Sequence, residues 1–175
     1  DSAVDHFEWA VAFKPDYAEA HNNLGVVECR QEKFDQAIRS FEKAIAIQPN
    51  YTQAHSNLGN TLFELGQLET AIKSYKKAIA INPDYPEAYL NLGSSFQQLG
   101  KADDAIKFYE KGLTINPNSA VIYDILCNIK KYTINKKKIT KMHSLLSSDK
   151  ISLSDRRHLC FALAKVNENL DNQDE

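Results

Sequence analysis

No run of this sequence stays apolar for the ~18 residues that a membrane-crossing helix needs. No charged-then-apolar leader opens it either. Glycine and proline are scarce, six and five in 175 residues, so no flexible Gly/Ser linker and no Pro-rich tether divides the chain. The three cysteines, Cys29, Cys127 and Cys160, are odd in number and far apart, which argues against a disulfide framework and fits a reducing cytoplasmic setting. Neither charge sign dominates: 21 Lys and Arg stand against 23 Asp and Glu, a net of −2. The strongly basic balance of a nucleic-acid binder is therefore missing. Missing too are a Gly-rich phosphate loop, a GxSxG elbow, an HExxH pair and a CxxC pair. Without them no catalytic function, cofactor or metal is expected in this chain. It opens on Asp1 with no methionine, and we expect it to be an excised piece of a longer protein.

What proline and glycine there is falls on a period. Pro15, Pro49, Pro83 and Pro117 recur every 34 residues. The segments that follow read PDYAEAHNNLG, PNYTQAHSNLG, PDYPEAYLNLG and, degenerating, PNSAVIYDILC. A fixed period of this length means one supersecondary unit stacked on copies of itself, each burying an apolar face that it cannot bury alone. Within the second copy, Leu68, Ala71, Ile72, Tyr75, Ala78 and Ile79 fall at helical spacing while Lys73, Lys76 and Lys77 lie elsewhere, so the period is built from amphipathic helices. Ile47-Gln48-Pro49, Ile81-Asn82-Pro83 and Ile115-Asn116-Pro117 end three of them, because proline cannot continue a helix,. Gly66 and Gly100 follow two others, where a left-handed residue is easiest for glycine. Glu32 stands in the same place in the first copy, where the turn is expected to be tighter or slightly strained.

The pattern resembles the tetratricopeptide repeat, a pair of antiparallel helices A and B. The residues that carry the likeness are Leu24-Gly25, Leu58-Gly59 and Leu92-Gly93 on helix A. Opposite them on helix B stand Ala37, Ala71 and Ala105, then Phe41, Tyr75 and Tyr109, then Ala44, Ala78 and Gly112. The resemblance implies an all-α fold, a right-handed α-solenoid superhelix of antiparallel helix pairs. Three full repeats are expected at 18–51, 52–85 and 86–119. Residues 1–14 read as helix B of a truncated preceding repeat, with Ala3, Phe7 and Ala10 in the slots of Ala37, Phe41 and Ala44. A degenerate fourth repeat is expected at 120–150, with A near 120–132 and B near 136–147. Residues 151–175 read as a C-terminal helix capped by Ser154 and Asp155, carrying Leu159, Leu163, Val166 and Leu170, and starting a truncated fifth repeat. Both ends are expected to expose apolar faces.

The family's geometry implies that helix A turns its second, fifth, ninth, twelfth and thirteenth positions toward a concave groove. In the first repeat these are Glu19, Asn22, Val26, Cys29 and Arg30. In the second they are Gln53, Ser56, Asn60, Phe63 and Glu64, and in the third Glu87, Leu90, Ser94, Gln97 and Gln98. Asn23, Asn57 and Asn91 hold the sixth position, as in the superhelix of protein O-GlcNAc transferases, whose asparagine ladder grips an extended peptide by its backbone. A carboxamide both donates and accepts, so it matches a peptide unit. The expected peptide-binding residues are Asn22, Asn23, Val26, Arg30, Gln53, Asn57, Asn60, Phe63, Glu87, Leu90, Asn91 and Ser94, with Phe63 and Leu90 as apolar anchors. Chaperone-binding members of the family grip a C-terminal carboxylate with two lysines, an arginine and two asparagines. Those slots here hold Asn22, Val26, Asn57, Glu87 and Asn91, or, one repeat on, Ser56, Asn60, Asn91, Val121 and Ile125. The cations are absent and Glu87 repels a carboxylate, so that clamp is not expected.

The expected function is a protein-interaction scaffold that takes a partner protein or extended peptide in the groove. Two alternatives stand beside it. The segment LCFALAKVNENLDNQDE resembles the joining region of bacterial fusions between such arrays and a sulfotransferase domain, which implies a substrate-recruiting arm of a larger enzyme, or of an O-GlcNAc-transferase-like one. Unfinished ends suggest self-association. His21 and His55 share a slot with Tyr89 and Tyr123 and read as packing residues rather than metal ligands. Charge is uneven, with 11 cations against 16 anions in 1–119 (net −5) and 10 against 7 in 120–175 (net +3). The excess lies in Lys130, Lys131, Lys136, Lys137, Lys138 and Lys141, with Tyr132 the lone aromatic among them. That pattern suits a solvated helix face, or an acidic partner docking there, better than nucleic acid.

Overall fold

Apolar residues at helical spacing, broken every 34 residues by proline, fold into a row of helices. A computed structural model of the chain describes Phe7, Trp9, residues 11–129 and residues 132–171, with the side chains of 170 and 171 excepted. Among the described residues every regular element is a helix. They are α1 (Ala18–Arg30), α2 (Phe34–Ile47), α3 (Thr52–Glu64), α4 (Leu68–Ile81), α5 (Pro86–Gln98), α6 (Ala102–Ile115), α7 (Ala120–Asn128), α8 (Lys136–Leu146) and α9 (Leu153–Asp171). Phe7, Trp9 and residues 11–13 are also helical, where a lone B helix is expected; Ala3 and Ala10 lie outside the described residues. No helix is long and apolar enough to cross a membrane among the described residues.

The pairs α1–α2, α3–α4 and α5–α6 pack most extensively, and each pair stacks on the next through α2–α3 and α4–α5. The result is an α-solenoid. Consecutive A helices also touch, α1 on α3 and α3 on α5, to an extent that consecutive B helices do not. The stack therefore curves toward its A side, and the A helices line the inner face.

Close approach within each pair depends on a residue with no side chain. A Cβ built on Gly59 comes within 2.6 Å of the Tyr75 ring; on Gly25 it comes within 2.7 Å of Phe41, and on Gly93 within 2.5 Å of Tyr109. The rings are almost wholly buried, and Ala37, Ala71 and Ala105 beside them have no exposed surface at all. Each such ring contributes on the order of 2–3 kcal/mol through the apolar surface it removes from water.

Turns are specified as locally as the pairs. Gln48, Asn82 and Asn116 are extended (φ −128°, −130° and −119°), because the following proline ring crowds a helical conformation out. His21 and His55 donate from Nε2 to the carbonyls of Pro15 and Pro49, each at 2.9 Å, and Tyr123 donates to that of Pro117 at 3.0 Å. This explains the shared slot of histidine and tyrosine: either ring can clasp the turn that leads into its own helix. At the A-to-B turns, Gly66 and Gly100 take φ of +72°, and Glu32 takes +59°.

The C-terminal third departs from the expected fourth repeat. α7 ends at Asn128, short of the expected 132, and its extensive partner is α9 rather than α8. The cause is apolar surface. α9 buries Leu159, Ala162, Leu163 and Val166 against Ile122, Leu126 and Cys127, whereas α8 buries Met142 alone and is otherwise lysine-rich. So α9 takes the place expected for helix B of that repeat, rather than beginning a fifth. Its N-cap is Ser152, not Ser154 or Asp155: Ser152 Oγ accepts from the Asp155 amide at 3.0 Å and donates to the Asp155 carboxylate at 2.7 Å,. The leucine at 170 falls among side chains outside the description. α8 is tied back to α6, with Lys138 on Glu110 at 2.8 Å and the Tyr132 hydroxyl on the same carboxylate. Apolar side chains are exposed toward both ends, Trp9 stacked on Phe13 at one and Leu153 and Phe161 at the other.

Two substitutions test these turns and contacts. Glu32→Gly relieves a left-handed backbone position and is expected to raise stability by about 1 kcal/mol, seen as a higher urea midpoint. Gly59→Ala forces the Tyr75 ring aside and is expected to lower stability by roughly 1–3 kcal/mol.

Candidate functional site on the inner face

Two adjoining hollows lie on the A side. The first, about 470 Å³, opens between α1 and α3 and is lined by Val26, Cys29, Arg30, Glu32, Phe34, Phe41, Asn57, Asn60, Thr61 and Glu64. The second, about 320 Å³, opens between α3 and α5 and is lined by Asn60, Phe63, Glu64, Tyr75, Asn91 and Ser94. Asn60 and Glu64 line both, so the two hollows adjoin, and together they make a trough that spans three repeats.

Of the residues expected in a groove, the trough brings together Val26, Arg30, Asn57, Asn60, Phe63, Asn91 and Ser94. The others sit elsewhere. Asn22 is buried, and its carboxamide is taken up by protein: Asn57 Nδ2 donates to Asn22 Oδ1 at 3.0 Å, and Asn22 Nδ2 donates to Asn23 Oδ1 at 3.3 Å. It positions Asn57 rather than facing outward. Leu90 is half-buried and packs on the core beneath α6 and α7, so it is no free anchor. Gln53 and Glu87 are exposed in the first turns of their helices, outside both hollows.

The asparagines are linked across repeats rather than standing free. Asn91 Nδ2 donates to Asn60 Oδ1 at 2.8 Å, and the Tyr75 hydroxyl donates to the same oxygen at 2.9 Å. Two donors on one oxygen fix the orientation of the Asn60 amide. Thr61 Oγ1 donates to the Asn57 carbonyl at 3.0 Å and meets Cys29 Sγ at 3.1 Å, so the thiol is the donor in that second contact. Tyr109 reaches Ser94 at 3.2 Å and Gln97 at 2.8 Å in the same way.

Sequence reasoning missed the contribution of helix B. Tyr75, Phe34 and Phe41 belong to B helices, yet they line the trough. Tyr75 reaches it because Gly59 leaves a gap between the helices, through which the ring passes and delivers its hydroxyl to Asn60. The available signal was the change from Phe41 to Tyr75 and Tyr109, since a buried hydroxyl needs a polar partner. Among the described residues no group of three or more His, Cys, Asp or Glu is placed to hold a metal.

Family models for the tetratricopeptide repeat match residues 27–66, 59–100 and 86–119, more than half of the chain. Among solved structures it is similar to the crystal structure of MamA, with a TM-score of 0.66 and 21% identity over 97% of this chain and 88% of that one. That likeness speaks for the fold. It is also similar to the first TPR of Spaghetti (RPAP3) bound to the HSP90 peptide SRMEEVD, with a TM-score of 0.57 and 28% identity over 58% of this chain and 81% of that one. A search of curated proteins returned no match.

Burial raises the Tyr75 phenol well above the ordinary tyrosine value, and the Glu64 carboxylate adds to the shift. Burial raises Tyr109 too, opposed in part by the Ser94 hydroxyl. The Cys127 thiol is pushed up to about 11 by burial and by Asp124. Such groups keep their protons in the fold and lose them sooner when unfolded, so their contribution is whole below the unfolded value and drains away as pH rises. The urea midpoint is therefore expected to fall from about pH 9–10 upward. Tyr75→Phe is expected to cost about 1 kcal/mol at pH 7 through the lost Asn60 hydrogen bond, and to make the alkaline decline shallower.

Proposed function

Because the chain belongs to the tetratricopeptide repeat family, we propose that it is a protein-interaction scaffold whose inner trough holds an extended peptide or an extended segment of a partner protein. The observation that carries this is the pair of hollows joined through Asn60 and Glu64. An extended backbone needs alternating donors and acceptors along its length, and side-chain pockets spaced beside them. Asn57, Asn60 and Asn91 supply carboxamides from two successive A helices, already oriented by the bond of Asn57 to Asn22 and that of Asn91 to Asn60. Phe63 and Val26 supply apolar surface in the two hollows. Prior orientation matters because a fixed amide loses little freedom when a ligand arrives. The HSP90 peptide bound by the first TPR of RPAP3 supports the idea that this architecture accommodates a short peptide.

A random octapeptide array probed with the chain tests the reading. Asn60→Ala and Phe63→Ala are each expected to weaken captured peptides by about tenfold, roughly 1.4 kcal/mol, with circular dichroism unchanged. A double variant that retains every peptide at wild-type strength removes the trough from the account. SRMEEVD itself is expected not to bind, since its acidic side chains and carboxylate would face Glu32 and Glu64 with Arg30 the single cation lining the trough,.

A further inference from the structure

The helices of the solenoid divide their charge by face. The inner helices α1, α3 and α5 carry Glu19, Glu28, Glu64 and Glu87 against a single cation, Arg30. The outer helices α2, α4 and α6 carry seven Lys and Arg against six Asp and Glu. The inner helices are thus the more acidic set, and the charged residues that line the trough itself are Arg30, Glu32 and Glu64, a net of −1.

Within the trough the two hollows differ. The one between α1 and α3 holds Arg30 together with Glu32 and Glu64. The one between α3 and α5 holds Glu64 and no cation. Among the described residues no ion pair engages Glu64. The hydrogen bonds around it further define what it can receive. Asn91 spends an amide hydrogen on Asn60 and leaves its own Oδ1 without a donor among the described residues, while Asn60 Oδ1 is already filled by Asn91 and Tyr75. The hollow therefore offers a carboxylate, a free amide oxygen and the ring of Phe63, half-buried beside them. An acceptor pair beside an aromatic face is what a cationic side chain with an apolar stem requires. An acidic side chain could accept from the Asn60 amide nitrogen, but it would sit beside the Glu64 carboxylate with no cation in this hollow to offset the repulsion,.

We infer that the ligand of the trough is a basic extended segment, with a lysine or arginine side chain seated between α3 and α5 against Glu64, Asn91 and Phe63. The inference rests on the trough being a peptide site and adds the chemical class of its ligand. Specificity then comes from one pocket, to which Asn91 belongs, and Asn57 contributes affinity that is indifferent to sequence.

The test uses the 175-residue chain, its Glu64→Gln and Glu64→Lys variants, and an octapeptide array in which each lysine or arginine is also replaced by glutamine and by glutamate. Glu64 is exposed, so both variants are expected to fold as the parent does. Captured peptides are expected to be enriched in Lys or Arg at one position and to weaken about tenfold when it becomes Gln. Glu64→Gln should abolish that difference, and Glu64→Lys should reverse it toward glutamate. Peptides captured without preference for charge, or a lysine requirement that survives Glu64→Gln, overturn the inference and leave the peptide trough standing. No capture of any peptide by the parent chain overturns both.

Discussion

An aromatic ring laid flat against a glycine holds this molecule in shape. Phe41, Tyr75 and Tyr109 each occupy the space that a side chain on the facing A helix would fill, at distances a real Cβ could not share. Because the helices of a pair meet that closely, the small residues Ala37, Ala71 and Ala105 are sealed off completely, and the apolar stripe of helix B is spent within its own repeat and on the next. Curvature follows, since successive A helices touch one another to an extent that successive B helices do not. Packing of this density leaves little tolerance for change in volume.

The same contact organises the polar side of the protein. A phenylalanine ring would end at the gap over glycine; tyrosine carries a hydroxyl through it to the inner face. Tyr75 thereby sets the Asn60 amide, and Asn60 in turn receives Asn91 from the following repeat. Core and trough are consequently one structure, in which a residue buried for stability also orients an amide on the inner face. Buried hydroxyls satisfied in this manner rigidify what they touch.

Most of the architecture was legible because each of its causes is local and repeated. The proline period, the glycine opposite an aromatic and the glycine at the end of helix A each recur three times or nearly so, and Glu32 takes the left-handed conformation that Gly66 and Gly100 take in the other copies. Legibility fails where repetition fails. Beyond residue 119 the period gives no guide to which of two later helices will pair with α7, and the outcome is settled by how much apolar surface each can bury. The trough was half legible. Counting positions along helix A found Asn57, Asn60, Phe63 and Asn91, but it could not show that Asn22 is consumed by a neighbour or that Leu90 turns into the core, because both depend on contacts between repeats. The part played by Tyr75 was hidden for the opposite reason: it belongs to the other helix.

Contact within each hairpin is more extensive than contact between one hairpin and the next, so the solenoid is a chain of stiffer plates joined by softer seams. Bending and twisting concentrate at those seams, and the trough crosses two of them, at α1–α3 and at α3–α5. Anything laid along it splints both joints at once. Pulled from its ends, the coil would then lengthen less for a given force when loaded than when empty, which makes occupancy of the trough a mechanical property of the whole array.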